Sequence, residues 1–257
     1  MKIAIIGAGN MGGAIARGLA KGSLIHSSDI TVSNPSAGKL EKLKEEHPAI
    51  TTTHNNTEAA ENADIVILAV KPWFIGSVAQ ELKLKNTQTL VSVAAGIKFE
   101  ELAQFVATPE MPMYRLIPNT AISELESMTL IAARNTSEEQ DQFLLHLFNE
   151  MGLSMLVPED KIAATTALTS CGIAYVLKYI QAAMQAGVEM GIRPKDAMEM
   201  VAQSVKGAAA LILNNDTHPS VEIDKVTTPG GITIKGLNEL EHNGFTSAII
   251  KAMKASK

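Results

Sequence analysis

The sequence predicts a two-domain α/β protein, with a doubly wound parallel sheet in residues 1–158 and an all-helical domain in residues 159–257. Three observations lead to this prediction. Short β-rich runs alternate with helical patterns in the first part, a glycine-rich turn follows the first of these runs, and the strand pattern ends near Pro158. Alternation of this kind is typical of a mostly parallel sheet with helices on both faces.

The predicted strands of the first domain are short runs rich in aliphatic and β-branched residues. They cover residues 3–6, 30–33, 50–53, 65–70, 89–93, 113–117 and 128–133. Between them, residues 11–21 carry Ala, Ile and Leu at helical spacing and stop at Gly22. Residues 39–46 predict a charged surface helix, and residues 138–151 predict an amphipathic one.

Beyond Pro158 the sequence is rich in Ala, Met, Leu and Gln, which favour helices. Helical runs cover residues 160–190, 195–213, 232–241 and 247–255. These helices carry more apolar surface than a small helical domain hides by itself, so association of chains is expected.

Composition limits the classes of function. The chain has 257 residues, of which 46% are hydrophobic and 19% charged, and its formal net charge is -5. This composition is typical of a folded globular protein. The negative charge argues against a nucleic-acid partner, because affinity for phosphate backbones depends on clustered Lys and Arg. The longest apolar run, residues 65–70, is far shorter than the about 20 residues of a membrane helix, so no membrane association is expected.

Cysteine and histidine usage also excludes some chemistry. Cys171 is the only cysteine, so an intrachain disulfide is excluded and a cytoplasmic location is expected. The first apolar stretch is soon broken by glycine and lacks a cleavage signal, which predicts a strand rather than a signal peptide. No metal site is expected, because the histidines lack ligand spacing; they are His26, His47, His54, His146, His218 and His242.

The glycine-rich turn Gly7, Ala8, Gly9, Asn10, Met11, Gly12 follows a predicted strand and opens a predicted helix. The first glycine suits a tight turn, the second lets the backbone approach a pyrophosphate, and the third permits close packing of helix and strand. The anion then lies on the free N–H groups of the helix N-terminus. The turn predicts a Rossmann-type dinucleotide-binding domain.

The end of the second strand indicates which dinucleotide is bound. Proteins that bind NAD usually place a carboxylate there for the ribose 2'-hydroxyl, but this chain has Ser33, Asn34, Pro35 and Ser36. Asp29 precedes the strand and is therefore at its wrong end. A 2'-phosphate would meet no repulsion and would find hydroxyl and amide donors, with Lys39 nearby. NADPH is therefore the favoured cofactor, and NADH remains an alternative.

Three further loops follow predicted strands, where open α/β sheets bind ligands. The first ends in Lys71 and Pro72, the second contains the small residues Ala94 and Ala95, and the third contains Asn119. The cofactor-binding residues predicted in these loops together are Gly7, Gly9, Asn10, Met11, Gly12, Asn34, Ser36, Ala69, Val70, Lys71, Pro72, Ala94, Ala95 and Asn119.

In the predicted helical domain, residues 224–234 interrupt the helical pattern with hydroxyl residues, a proline and two glycines. One interpretation is a turn and helix cap alone. The other is a small carboxylate site, formed by the N–H groups of Gly231, Ile232 and Thr233 and by the hydroxyls of Thr228 and Thr233. The residues by themselves leave both interpretations open.

Several motifs occur in a fixed order along the chain. They are residues 7–12 with Ala14 and Ile15, residues 69–72, residues 94–96, Arg115 with residues 118–120, Gly172 with Ala174 and Tyr175, and residues 226–233 with Leu237, Leu240, Glu241 and Gly244. Through these motifs the sequence resembles the pyrroline-5-carboxylate reductase family over nearly its whole length.

The resemblance implies NADPH-dependent reduction of the cyclic imine (S)-1-pyrroline-5-carboxylate to L-proline, the last step of proline biosynthesis. It implies that Asn34 and Ser36 hold the adenosine phosphate region, that Asn56 contacts the adenosine portion, and that Ala69 and Lys71 line the cofactor groove. It also implies a homodimer through the C-terminal helices, with further assembly as an alternative.

The same resemblance implies a substrate site for the carboxylate and ring nitrogen in residues 228–233. The predicted substrate-binding residues are Thr228, Gly230, Gly231, Thr233 and Asp216. We take Thr233 as the catalytic residue, because its hydroxyl is suited to hydrogen-bond the ring nitrogen, while Asp216 either stabilises a cationic imine or only caps a loop.

The chain departs from the family where Ser170, Cys171 and Ile173 replace Gly, Ser and Pro of the usual pattern. These departures bear on the identity of the substrate. Two other functions also stay open. One is a reductase of the same architecture that acts on another imine or a hydroxy acid, and the other is a non-catalytic NADPH-binding protein.

Overall fold

The fold is described from a computed structural model that covers residues 1–257. The chain divides into two compact units, Met1–Ser170 and Cys171–Lys257. The first unit is a sheet with helices on both sides, and the second consists of helices only. The predicted fold class, a Rossmann-type sheet followed by an all-helical region, is confirmed.

The eight strands of the first unit form one sheet in the order β3-β2-β1-β4-β5-β6-β7-β8. All neighbouring strands are parallel except β6 and β7. The strands are β1 (Ile3–Ile6), β2 (Ile30–Ser33), β3 (Thr51–Thr53), β4 (Ile65–Leu68), β5 (Thr89–Ser92), β6 (Met113–Ile117), β7 (Ser127–Arg134) and β8 (Gly152–Leu156). The chain runs outward from β1 to β3 and returns to β4 on the other side of β1. This reversal is a topological switch point, where such sheets bind ligands.

Seven helices belong to this unit and cover both faces of the sheet. They are α1 (Asn10–Lys21), α2 (Ala37–Glu46), α3 (Asn56–Ala60), α4 (Ile75–Leu82), α5 (Phe99–Phe105), α6 (Glu138–Asn149) and α7 (Ile162–Thr166). Successive residues of a strand face opposite sides of a sheet. Ile3 and Ile5 of β1 accordingly lie in one buried apolar cluster with residues of α1, α2 and α6, whereas Ala4 and Ile6 lie in a second cluster with residues of α3, α4 and α5.

The main differences between the structure and the predicted sheet concern β4 and β8. Strand β4 ends at Leu68 rather than at residue 70. The next residue, Ala69, still donates its N–H to Ile6 of β1, and its carbonyl oxygen lies against the glycine turn. Strand β8 was not predicted. Its alternation is inverted, since the apolar Leu153 and Met155 are exposed while Ser154 is buried. The Ser154 hydroxyl donates to the carbonyl oxygen of Leu145 at 3.0 Å, which satisfies the buried polar group.

The second unit contains α8 (Gly172–Glu189), α9 (Pro194–Asn215), α10 (Pro219–Lys225), α11 (Ile232–His242) and α12 (Phe245–Ala255). The helical run predicted over residues 160–190 is interrupted by a π-helical segment, Ala167–Cys171. Helices α8 and α9 approach closely at Gly187, where a Cβ would lie 3.1 Å from that of Ala197. None of the helices combines the length and apolar character that a membrane span requires.

Candidate active site

The glycine turn joins β1 to α1, and close contacts fix its backbone. Gly7 has a φ of +107°, and its N–H donates to the carbonyl oxygen of Ser33 at 2.8 Å. A Cβ at Gly7 would lie 2.7 Å from the carbonyl oxygen of Ala69, and a Cβ at Gly12 would overlap the carbonyl oxygen of Gly7. Both positions therefore require glycine.

The N-terminus of α1 is open to an anion. Gly9 is the N-cap residue, no side chain caps the helix, and its first turn contains no acidic residue. A Cβ at Gly9 would meet no atom within 4 Å, so this glycine faces free space. Asn10 and Met11 begin the helix and contribute N–H groups without intrahelical acceptors. The free N–H groups and the positive end of the helix dipole fit a pyrophosphate.

Asn34 links the glycine turn to the end of β2. Its buried side chain accepts a hydrogen bond from the N–H of Ala8 at 3.0 Å. Its amide nitrogen donates to the Ser36 hydroxyl at 2.8 Å and to the Ser36 carbonyl oxygen at 3.1 Å. Because the Ser36 hydroxyl accepts from Asn34, its own hydrogen is free for a ligand. Asn34 thus fixes the local geometry, while Ser36 presents the donor.

Ser33 and Asn56 form a second contact at the same end of the sheet. Ser33 is buried, and its hydroxyl donates to the Asn56 side-chain oxygen at 2.8 Å. The hydrogen bond that the sequence suggested from Ser33 to a 2'-phosphate is therefore unavailable in this arrangement. The amide nitrogen of half-buried Asn56 has no protein acceptor and remains a donor for a ligand.

The loops after β4 and β5 lie at the same edge as the glycine turn, because β1, β4 and β5 are adjacent and parallel. Ala69 donates its N–H to the Ile6 carbonyl oxygen at 2.9 Å, and Lys71 is exposed. Val70 and Pro72 are half-buried. After β5, Ala94 is buried and Ala95 is exposed, so small residues line this part of the edge.

Asn119 follows β6, and its side chain is used within the protein. The side-chain oxygen accepts from the N–H of Ala121 at 3.0 Å, and the amide nitrogen donates to the Thr169 carbonyl oxygen at 3.4 Å. Its backbone N–H donates to the Ser127 hydroxyl at 3.1 Å. The bond from Ala121 caps the following 3-10 helix, Thr120–Glu124. A contact between Asn119 and the cofactor stays a prediction.

Glu150 binds the residues that follow the C-terminus of α1. Its carboxylate accepts hydrogen bonds from the hydroxyl and the N–H of Ser23 and from the N–H of Leu24. Desolvation acts to raise the pKa of Glu150, but the hydrogen bonds from Ser23 and Leu24 outweigh it, and the pKa lies below its usual value. The helix that presents the glycine turn is thus anchored by a carboxylate far along the chain.

Residues 228–233 form a turn that leads into α11 in the helical unit. Gly230 has a φ of +72°, and the N–H of Gly231 donates to the Thr228 carbonyl oxygen at 2.9 Å. The N–H of Gly231 is therefore not free, contrary to expectation. A Cβ at Gly231 would lie 2.6 Å from the Thr228 hydroxyl oxygen. Glycine at this position allows the two residues to approach.

The N-terminus of α11 remains suited to a carboxylate. Gly231 is its N-cap, no side chain caps it, and no acidic residue lies in its first turn. The N–H groups of Ile232 and Thr233 lack intrahelical acceptors. Ile232 is 86% exposed and Thr233 is exposed as well, so both groups are open to a ligand.

Asp216 ends α9 as its C-cap in the left-handed conformation, with a φ of 48°. Its side chain is exposed. Asp and Asn tolerate this conformation better than most residues, which supports the capping interpretation. Binding of substrate by Asp216 stays a prediction.

Two features of the first unit were missed from the sequence. His54 lies after β3, and its Nδ1 is 2.8 Å from the carbonyl oxygen of Asn34. Glu159 accepts from the buried Arg115 at 2.7 Å and from the N–H of Phe99 at 2.8 Å. Both contacts join segments far apart in the chain, so no local pattern announces them.

Comparison with known families identifies the chain. The model for the pyrroline-5-carboxylate reductase dimerisation family matches residues 159–257, and the model for coenzyme F420-dependent NADP oxidoreductases matches residues 2–96. Pyrroline-5-carboxylate reductase 2 of Dictyostelium discoideum is 38% identical over 99% of this chain and 90% of its own length. The chain belongs to the pyrroline-5-carboxylate reductase family.

Other members of this family agree over the full chain. Pyrroline-5-carboxylate reductase 1 of Dictyostelium discoideum is 37% identical over 99% of this chain, which spans 48% of that longer protein. The solved reductase of Plasmodium falciparum, with NADP bound, has a TM-score of 0.89 at 28% identity and covers 100% of this chain and 95% of its own. That of Streptococcus pyogenes has a TM-score of 0.85 at 32% identity, covering 100% and 98%.

Membership of the pyrroline-5-carboxylate reductase family makes the chain an NAD(P)H-dependent oxidoreductase. The match to the dimerisation family assigns residues 159–257 to a region of the type through which members associate. The domain boundary predicted at residue 158 and the individual site residues remain predictions.

Proposed function

We propose that this protein reduces the C=N bond of (S)-1-pyrroline-5-carboxylate with NADPH and releases L-proline. The observation that carries the proposal is the pair of uncapped helix N-termini, α1 behind the glycine turn and α11 behind residues 228–231, each without an acidic residue in its first turn. One suits a dinucleotide pyrophosphate and the other a small carboxylate. The relatives named above are reductases of this substrate.

The cofactor would be held along the carboxyl edge of the sheet. Residues 7–12 would bind the pyrophosphate, Ser36 would donate its free hydroxyl hydrogen to the 2'-phosphate, and the free amide of Asn56 would contact the adenosine portion. Asn34 would position Ser36. Residues 69–72 with Ala94 and Ala95 would line the groove, with Asn119 behind them. When bound, NADPH supplies the hydride that reduces the imine carbon.

The substrate would be held by residues 228–233. The N–H groups of Ile232 and Thr233 and the hydroxyl of Thr228 would bind its carboxylate, and the conformations of Gly230 and Gly231 would shape the turn. The Thr233 hydroxyl would hydrogen-bond the ring nitrogen and so orient it. Asp216 would add negative charge that favours a protonated imine nitrogen.

The helical unit would form a homodimer with that of a second chain, and higher assembly is part of the proposal. Its apolar residues surround an open groove of about 450 Å³ lined by Gly172, Tyr175, Val176, Tyr179, Ser204, Val205, Ala208, Phe245, Ile249 and Met253. Exposed methionines and leucines of α9 add to the apolar surface. The dimerisation match supports a second copy as the occupant. With a single cysteine, the enzyme suits a reducing cytoplasm.

The decisive experiment follows NADPH absorbance in the presence of pyrroline-5-carboxylate and identifies proline as the product. Thr233→Ala should lower turnover about 10- to 100-fold, the loss of one hydrogen bond to a polar reacting group, while NADPH affinity stays within about twofold. Thr233→Ser retains the hydroxyl and should keep most of the turnover.

Each alternative function gives a different result. Oxidation of NADPH only with other imines or with keto acids would favour a related reductase. Tight NADPH binding without oxidation by any of these compounds would favour a non-catalytic NADPH-binding protein. Full turnover in Thr233→Ala would refute the role proposed for Thr233, but the proposed reaction would still stand.

A further inference from the structure

His54 lies at the end of β3, beside the residues expected to meet the cofactor's 2'-phosphate. Its Nδ1 is 2.8 Å from the carbonyl oxygen of Asn34, and the Asn34 N–H donates to the Thr53 carbonyl oxygen at 3.2 Å. The loops after β2 and β3 are therefore joined at Asn34. In dinucleotide-binding sheets the residues after β2 face the ribose 2' position, which places exposed His54 at that end of the cofactor site.

The contact with Asn34 fixes which nitrogen of His54 carries a proton. A carbonyl oxygen only accepts hydrogen bonds, so Nδ1 must be the donor. In the neutral imidazole the other nitrogen, Nε2, then carries a lone pair and would repel a phosphate oxygen. Only the protonated ring offers an N–H at Nε2. His54 therefore has opposite effects on a phosphate in its two charge states.

The charged groups around His54 come from two helices. Glu41 and Lys44 of α2 line a shallow cavity of about 180 Å³ together with His54. Glu58 of α3 accepts a hydrogen bond from the hydroxyl of Thr53 at 2.6 Å. The Lys44 ammonium group donates to the Ile50 carbonyl oxygen at 2.6 Å, so we do not expect it to be the main partner of the phosphate. The surroundings thus contain both signs of charge, and Lys44, the cation that lines the cavity with His54, is engaged by a backbone carbonyl.

We propose that His54 is a specificity-determining residue that favours NADPH over NADH through a proton-dependent bond to the 2'-phosphate. The inference rests on the proposed function, in which residues 34–36 face that phosphate. NADPH binding then draws a proton onto His54, whereas NADH, which lacks the phosphate, does not. Preference for NADPH therefore weakens as the solution becomes more alkaline, because the bond to the phosphate needs the protonated ring.

The test is titration calorimetry of the full-length protein with NADPH and with NADH at pH 7.5, repeated in buffers of different ionisation enthalpy. The wild type should take up a fraction of a proton with NADPH and none with NADH. His54→Gln, whose amide can still donate to Asn34, should take up none with either. At pH 6.5 it should bind NADPH about five- to tenfold more weakly than wild type, and at pH 8.5 within about twofold.

His26→Gln is the matched control, because exposed His26 precedes β2 at the opposite end of the sheet. It should behave as the wild type with both cofactors. Equal proton uptake in wild type and His54→Gln, or an NADPH affinity of His54→Gln that is weaker by the same factor at both pH values, would overturn the inference. Failure of the wild type to bind NADPH, or to reduce pyrroline-5-carboxylate, would instead refute the proposed function, so the two failures are distinguishable.

Discussion

Arg115 and Glu159 form a partly buried ion pair, and substituting Glu159 should destabilise the protein more than substituting Arg115. The Arg115 side chain is 6% exposed and that of Glu159 is 29% exposed. Their contact at 2.7 Å is the only hydrogen bond of the guanidinium to a side chain, and its Nε has no partner at all. Removing one member of a buried pair costs about 3–5 kcal/mol because the other charge is left uncompensated.

Glu159→Gln leaves the buried guanidinium without a counter-charge and should lower the free energy of unfolding by about 3 kcal/mol, the low end of that range, since water reaches residue 159. Arg115→Met removes the buried charge itself and fills its space with apolar atoms. Glu159 then keeps solvent and the N–H of Phe99, so the loss should be about 1 kcal/mol.

Thermal unfolding at one fixed protein concentration measures the difference. At about 2–4 °C for each kcal/mol in a protein of this size, Glu159→Gln should lower Tm by about 6–12 °C and Arg115→Met by about 2–4 °C. The double variant should resemble Arg115→Met. If Arg115→Met is as destabilising as Glu159→Gln, or if the losses of the two single variants add in the double variant, the reasoning from an uncompensated buried charge is wrong.

Four other substitutions test the remaining contacts. Gly9→Ala should keep the wild-type Tm but weaken NADPH binding about tenfold or more, because its methyl group enters the free space before α1. Gly12→Ala should weaken binding and also lower Tm, because its methyl group would overlap the Gly7 carbonyl oxygen. Quenching of the single tryptophan by NADPH measures binding, and thermal unfolding measures Tm. Glu150→Gln should lower the free energy of unfolding by about 1 kcal/mol at pH 7. Because folding lowers the pKa of Glu150, the difference between variant and wild type should disappear as the pH falls through that pKa. Urea unfolding at several pH values measures this difference. Gly231→Ala should raise KM for pyrroline-5-carboxylate without changing NADPH affinity, because its methyl group would press on the Thr228 hydroxyl; an unchanged KM would contradict the placement of the substrate carboxylate.

Local rules predicted the parts of the fold that depend on neighbouring residues. Strands β1 to β7, helix α1 and the requirement for glycine at positions 7 and 12 follow from spacing, because each is fixed within one strand–turn–helix unit. Strand β8 escaped prediction because its apolar residues point outward and its buried position is a serine. A pattern that assumes apolar residues inside cannot detect such a strand.

The candidate site was predictable as a set of loops, but not as a set of free hydrogen-bonding groups. The sequence suggested Ser33 and Asn34 as donors to the 2'-phosphate and Asn119 as a cofactor-binding residue, and the structure uses much of their hydrogen-bonding capacity within the protein. The N–H of Gly231 closes its own turn in the same way. Hydrogen bonds between distant segments decide which donors remain for a ligand, and those segments meet only in the folded chain.

The position of Asn34 also bears on how cofactor preference evolves. Aspartate has nearly the same shape as asparagine, and its carboxylate would still accept the N–H of Ala8, so the glycine turn would survive the exchange. The same carboxylate would accept from a ribose hydroxyl and repel a 2'-phosphate. Asn34→Asp also removes the amide group that donates to the Ser36 carbonyl oxygen at 3.1 Å and puts a carboxylate oxygen in its place. A change from NADPH to NADH at position 34 therefore requires the loop after β2 to rearrange, so cofactor preference and the geometry of this loop evolve together.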